Sequence, residues 1–128
     1  MDQVPQISES ELIIMTIIWD KGNSARFAEI MEELDQLKTE WKKSTVLTFL
    51  SRLIEKNMLS TRKFGRRNEY TALMTRNHYQ AYQTKQFLDK VYSGNVQGLV
   101  HMLVQNHLIS DKDVEELREF WREGQPDE

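Results

Sequence analysis

Lys43-Ser-Thr-Val-Leu-Thr-Phe-Leu-Ser-Arg-Leu-Ile-Glu-Lys-Asn57 carries two different faces. Val46, Leu50, Leu53 and Ile54 recur at helical spacing, so one side faces a core. The opposite side holds Ser44, Thr48, Ser51, Arg52 and Glu55. Most solvated helices carry long Glu/Lys pairs there. Short hydroxyls with an arginine suit a DNA major groove, where Ser and Thr meet base edges and Arg reaches guanine or phosphate. An ordinary solvent face is the other reading of the same residues.

The flanking segments sharpen the choice. After Asn57, a residue that tolerates the left-handed helix end, Met58 to Phe64 reads as a strand. Gly65-Arg66-Arg67-Asn68 reads as a turn, and Glu69 to Leu73 as a second strand. The result is a β-hairpin with two arginines at its tip. Before the quoted stretch lie two more helices. Ser8 and Glu11 have the S-x-x-E spacing of a capping box. Leu12, Ile13, Met15, Ile17, Ile18 and Trp19 wrap the first helix in apolar side chains, and Asp20 to Asn23 ends it. Ser24 and Ala25 suit a very short strand or turn. A second helix over about Arg26 to Leu37 places Phe27, Ile30, Met31 and Leu34 on one face. Its outward Glu29, Glu32 and Glu33 argue against a DNA-facing role. Trp41 is expected to pack where the third helix begins. Three helices and a basic-tipped hairpin is the order of a winged helix-turn-helix, whose third helix enters the groove while the wing lies on the backbone.

Charge agrees with this order. The net charge is -3, but it is unevenly spread. Residues 42–67 hold eight bases and one acid, Glu55, whereas residues 1–40 hold nine acids and three bases. Phosphate binding follows the local field, so the basic stretch outweighs the acidic whole. Lys42, Lys43, Arg52, Lys63, Arg66 and Arg67 are therefore candidate phosphate contacts. Ser44, Thr45, Leu47 and Thr48 are candidate base contacts. Leu47 suits either a thymine methyl or the core.

Residues 74–128 read as three helices. The first, about Asn77 to Tyr92, carries Tyr82, Phe87, Leu88 and Val91. Ser93-Gly94 interrupts it. The next, Asn95 to Asn106, carries Val96, Leu99, Val100, Leu103 and Val104 in a clean helical stripe. Ser110 caps the last, in which Val114, Leu117, Phe120 and Trp121 are apolar. About 50 residues bury a core of their own poorly. A symmetric homodimer solves this with one surface used twice. Phe87, Val91, Val96, Leu99, Val100, Leu103, Val104, Leu117 and Trp121 are the expected interface; packing back onto the first domain is the alternative. The expected fold is mainly α with a small β-hairpin. A winged helix-turn-helix domain spans residues 1–73, and a three-helix dimerisation domain spans residues 74–128.

Other function classes find little support. With no cysteine there is no disulfide, thiolate metal site or thiol catalysis, and a cytoplasmic location is expected. No apolar run reaches the ~18 residues of a membrane span, and Met1 to Pro5 lacks the pattern of a signal peptide. His78, His101 and His107 show no metal-ligand spacing, and the six methionines read as core filler. No enzyme activity, cofactor or metal is expected. Two other readings stay open. One is a protein-binding winged helix. The other is a repressor released by a small molecule seated near Tyr79, Tyr82 and Trp121.

The chain resembles the penicillinase and methicillin-resistance repressor family, which also includes copper-responsive repressors. The resemblance rests on Trp19; on Trp41-x-x-Ser44-Thr45-Val46-x-Thr48-x-Leu50-x-Arg52-Leu53-x-x-Lys56; and on Gly65-Arg66-x-x-x-Tyr70-x-Ala72-Leu73. Phe87-Leu88-x-x-Val91-Tyr92-x-Gly94, Leu99-Val100 and Leu117-Arg118 extend it through the C-terminal helices. It implies a dimeric repressor on the operator DNA of a resistance or metal-response operon. In the β-lactam branch a membrane sensor protease signals the drug, and the repressor is cut in its dimerisation domain. The bond aligned with the Asn-Phe cut of staphylococcal relatives is Met102–Leu103. Where those relatives carry Lys and Arg in the third helix, this chain has Ser44 and Leu47, which implies a different operator. The missing cysteines exclude the copper branch's C-terminal metal site.

Overall fold

The computed structural model describes residues Val4–Gly124. The chain runs α1 (Glu9–Asp20), β1 (Ser24–Arg26), α2 (Phe27–Gln36), α3 (Lys43–Glu55), β2 (Leu59–Phe64) and β3 (Arg67–Ala72). It continues through α4 (Arg76–Tyr92), α5 (Val96–Gln105) and α6 (Asp111–Gly124). It divides into two compact units, one ending at Tyr82 and the other beginning at Gln83.

The first unit is built on α1. Ser8 Oγ accepts from the Glu11 amide at 3.1 Å, and the Ser8 amide donates to Glu11 Oε1 at 2.7 Å. This reciprocal box satisfies two amides at the helix start. Ile14, Met15, Ile18, Ile30, Val46, Leu50 and Leu53 bring α1, α2 and α3 into one buried cluster, which Met58 and Leu59 close. Trp41 meets Phe49 edge-on at 5.2 Å between ring centres, which seats the start of α3. At its other end, Asn57 takes a φ of 61°, and the Met58 amide donates to the Leu53 carbonyl at 2.9 Å. The left-handed residue turns the chain out of the helix and into β2.

The three strands form one antiparallel sheet in the order β1-β3-β2. Ser24–Arg26 is thus a true strand: Ala25 pairs with Tyr70 and Arg26 with Glu69. The wing is tighter than the expected four-residue turn. Phe64 pairs with Arg67 and Lys63 with Asn68, so only Gly65 and Arg66 lie in the loop. Gly65, at a φ of +60°, supplies the conformation that a two-residue hairpin turn needs at its first position. Arg66 is therefore at the tip, whereas Arg67 is a strand residue.

The start of α4 completes this core. Tyr79 is buried against Trp19, 5.6 Å between ring centres, and Tyr82 packs on the same cluster. Trp19 Nε1 donates to the Met74 carbonyl at 2.9 Å. Arg76 pairs with Asp20 and lies over the Trp19 ring at 5.7 Å. Thr75 Oγ1 accepts from the His78 amide at 3.1 Å, and α4 starts at Arg76, one residue before the sequence expectation. Of the three aromatics expected near a small-molecule pocket, Tyr79 and Tyr82 are thus spent on packing, whereas Trp121 is exposed on α6.

The second unit holds the end of α4 with α5 and α6. Asn95 Oδ1 accepts from the Gly98 amide at 3.1 Å and caps α5. Ser110 Oγ accepts from the Asp113 amide at 3.1 Å, while Asp113 Oδ2 accepts from the Ser110 amide at 2.9 Å. The latter bonds hold the Asp113 carboxyl below its ordinary range. Neither α5 nor α6 has a buried residue. Phe87, Val91, Val96, Val100, Val104, Leu117, Phe120 and Trp121 are all exposed, and Leu99 and Leu103 are half-buried. Val100, Val104, Ile109, Leu117, Phe120 and Trp121 line an open apolar groove of about 630 Å³.

Candidate nucleic-acid interface

The outward face of α3 carries Ser44, Leu47, Thr48, Ser51 and Arg52, all exposed, and Thr45 is half-buried at its edge. Leu47 is the informative one, since its sequence suited either surface or core. At 43% exposure it belongs to the surface. Thr48 Oγ1 donates to the Ser44 carbonyl at 3.0 Å. Its proton is committed, so its lone pairs face outward and can accept from an adenine or cytosine amino group.

The N-terminus of α3 is open. No side chain caps it, its first turn has no acid, and Lys42 and Lys43 stand at its start. By contrast, α1 and α2 begin with Glu9, Glu11 and Glu29 in their first turns. Unpaired amides and the helix dipole make such an end attract anions, and two lysines strengthen the attraction. Lys42, Lys43, Arg52, Lys63, Arg66 and Arg67 are all exposed, and none joins an ion pair among the described residues.

Lys56 behaves differently. It belongs to the same basic stretch, yet its Nζ donates to Glu11 Oε1 at 2.8 Å. Glu11 is 2% exposed, so the pair ties the start of α1 to the end of α3. Burial raises the Glu11 carboxyl, but hydrogen bonds from Lys56 and Ser8 outweigh it and leave the pKa below its ordinary value. One base is thereby withdrawn from the patch and used to hold the helix.

The wing splits its cations by strand parity. Side chains alternate along a strand, so Arg62, Phe64 and Arg67 share a face with Glu69 and with Arg26 of β1. Lys63 and Asn68 lie on the Tyr70 face. Arg62 sits over the Phe64 ring at 5.0 Å. Between α3, the wing and the start of α2 runs a groove of about 560 Å³, lined by Arg26, Phe27, Ala28, Leu47, Arg66 and Arg67 together with Glu29 and Asn68. Sequence reasoning set α2 aside because of its acids and missed Arg26. Those acids lie farther along the helix, except Glu29, whose Oε1 is occupied by the Arg26 amide at 2.9 Å. The only local signal was a base at the strand-to-helix junction.

Among the described residues no cluster of His, Asp or Glu could hold a metal ion. Nor is any helix among them long and apolar enough to cross a membrane.

Comparison with known proteins agrees with this geometry. The chain is 33% identical over 123 residues to the penicillinase repressor of Bacillus licheniformis, covering 96% of this chain and 94% of that one. It is 32% identical over 113 residues to the methicillin resistance regulatory protein MecI of Staphylococcus aureus strain N315, covering 88% and 90%. The solution structure of the Bacillus licheniformis BlaI monomeric form in complex with the blaP half-operator matches with a TM-score of 0.52 and 37% identity. That match covers 62% of this chain and 94% of the other. The family profile described as penicillinase repressor matches residues 7–123. With a winged-helix first unit and a profile that spans both units, the chain belongs to the penicillinase repressor family.

Proposed function

We propose that the chain is a dimeric transcriptional repressor that binds a dyad-symmetric operator in double-stranded DNA. The carrying observation is the outward face of α3. It presents hydroxyls and one leucine, begins at an uncapped helix end flanked by lysines, and lies beside an arginine-tipped wing. Ser44, Thr45, Leu47 and Thr48 contact bases. Lys42, Lys43, Arg52, Lys63, Arg66 and Arg67 hold phosphates, which sets position and affinity rather than sequence choice. The relative solved on a half-operator supports the DNA-binding reading as a whole.

Residues 1–73, completed by Tyr79 and Tyr82, form the DNA-binding domain, and residues 74–128 pair two copies. The support is the exposed apolar surface of α5 and α6, which gains by covering an identical surface. Phe87, Val91, Val96, Leu99, Val100, Leu103, Val104, Leu117 and Trp121 form that interface. Two linked copies then reach two half-sites spaced by whole turns.

The operator belongs to a β-lactam-resistance operon, a reading supported by the relatives' names. Repression is relieved when a membrane sensor protease signals the drug and the chain is cut at Met102–Leu103. Met102 is 45% exposed. Cutting α5 uncouples the two half-site contacts and removes the effective-concentration gain of the second. Such a repressor works in the cytoplasm, beside the chromosome. Footprinting of the full chain on DNA upstream of its own gene tests the core of this reading. Two protected patches a whole number of turns apart, with a dimer by light scattering, are expected. A monomer that leaves duplex DNA unprotected at low salt would overturn it.

A further inference from the structure

We propose that Leu47, with Phe27 and Ala28 beside it, seats the 5-methyl group of a thymine, and that Arg26 holds a phosphate near that base. The inference rests on the DNA-binding reading above and adds a base preference to it.

Leu47 stands 43% exposed on a face otherwise made of Ser44, Thr48, Ser51 and Arg52. It does not stand alone: Phe27 and Ala28 line the same groove, so three apolar side chains share it, with Glu29 and Asn68 also in its lining. Arg26, Arg66 and Arg67 line the same groove. An apolar notch among unpaired cations suits a ligand that is apolar at one point and anionic around it. The major-groove edge of duplex DNA offers one apolar group, the thymine methyl, between two lines of phosphate. Thymine also carries its O4 acceptor, but adenine, guanine and cytosine present only donors or acceptors there and no methyl group for carbon to cover. Leu47 shares the outward face of α3 with Ser44, Thr48 and Ser51, so the base it meets is a neighbour of those the hydroxyls read. Arg26 is exposed, and among the described residues its side chain is in no ion pair.

The test uses the full chain and a duplex it selects from a random-sequence library. Each thymidine of that duplex is replaced in turn by deoxyuridine, which lacks only the methyl group. At one position per half-site, binding is expected to weaken about fourfold, the worth of one buried methyl group. Leu47→Ala is expected to bind the thymine and uracil duplexes equally, with an unchanged salt slope. Arg26→Ala is expected to weaken both and lower the slope by about one. Equal binding of both duplexes by the unmodified chain, with a steep salt slope intact, overturns the methyl seat and leaves the DNA-binding reading standing. A thymine preference that survives in Leu47→Ala assigns the methyl to another residue and also overturns it. Failure to select or bind any duplex at low salt overturns both readings.

Discussion

Replacing Arg66 and Arg67 together by alanine removes charge from the wing without disturbing its fold. Arg66 is a turn residue and Arg67 an exposed strand residue, while Gly65 supplies the turn's special conformation. Arg26 aside, the proposed phosphate contacts of one chain are six exposed cations, Lys42, Lys43, Arg52, Lys63, Arg66 and Arg67, none in an ion pair among the described residues. If each of these six neutralises one phosphate, together they contribute about -5.4 to the slope of log K against log salt per half-site, at ~0.9 per contact. A fourfold rise in salt then weakens binding on the order of 10³-fold. The double variant retains four contacts, a slope of about -3.6 and a loss of about 150-fold over the same range. Sequence preference is unchanged, because phosphate contacts position the protein and base contacts specify the site. Fluorescence anisotropy on a half-site duplex and a random duplex, each titrated with salt, reads both quantities. A slope unchanged from the parent, or a loss confined to the half-site, would refute a backbone role for the wing.

Three further outcomes follow from the packing. Glu11 has its folded pKa lowered from 4.5, so its ion pair contributes stability above that value and loses it as pH falls through the folded value. Glu11→Gln should cost roughly 1–3 kcal/mol at neutral pH and flatten the acid limb of urea unfolding below pH 4.5; an identical limb in the variant would contradict the pair's role. Lys38 sits in the turn before α3 with a φ of 59°. Lys38→Gly relieves a left-handed conformation that costs a side-chain-bearing residue about 1 kcal/mol, and should raise the melting temperature; a lower one counts against this account. Leu117→Asp places a charge on the outer apolar face of α6, where Leu117 is 54% exposed. It should give a monomer by light scattering that keeps half-site affinity and loses full-site affinity; a stable dimer would move the interface elsewhere.

Local pattern sufficed wherever the governing interaction lies within a turn or two of helix. The capping box needs only Ser8 and Glu11, three residues apart. The two faces of α3 follow from helical period, and Asn57 from its tolerance of a left-handed φ. The uneven charge around residues 42–67, the arginines of the wing and the stripe on α5 were legible for the same reason. Pairing and packing decided the rest, because they join residues far apart in the chain. Lys56 looked like one more base until Glu11, 45 residues away, drew it inward. Arg67 moved from turn to strand because the register of β2 on β3 is set by which side chains reach the core, and a tighter turn put Tyr70 there. Tyr79 became core through Trp19. Leu47 was ambiguous by spacing, and became a surface residue only because Val46, Leu50 and Leu53 fill the space beneath α3. Arg26 reached the same groove because β1 pairs with β3 and carries the start of α2 beside the wing. Helical period and capping act over a few residues and can be read along the chain, whereas which neighbour fills a given space depends on how the whole chain closes on itself.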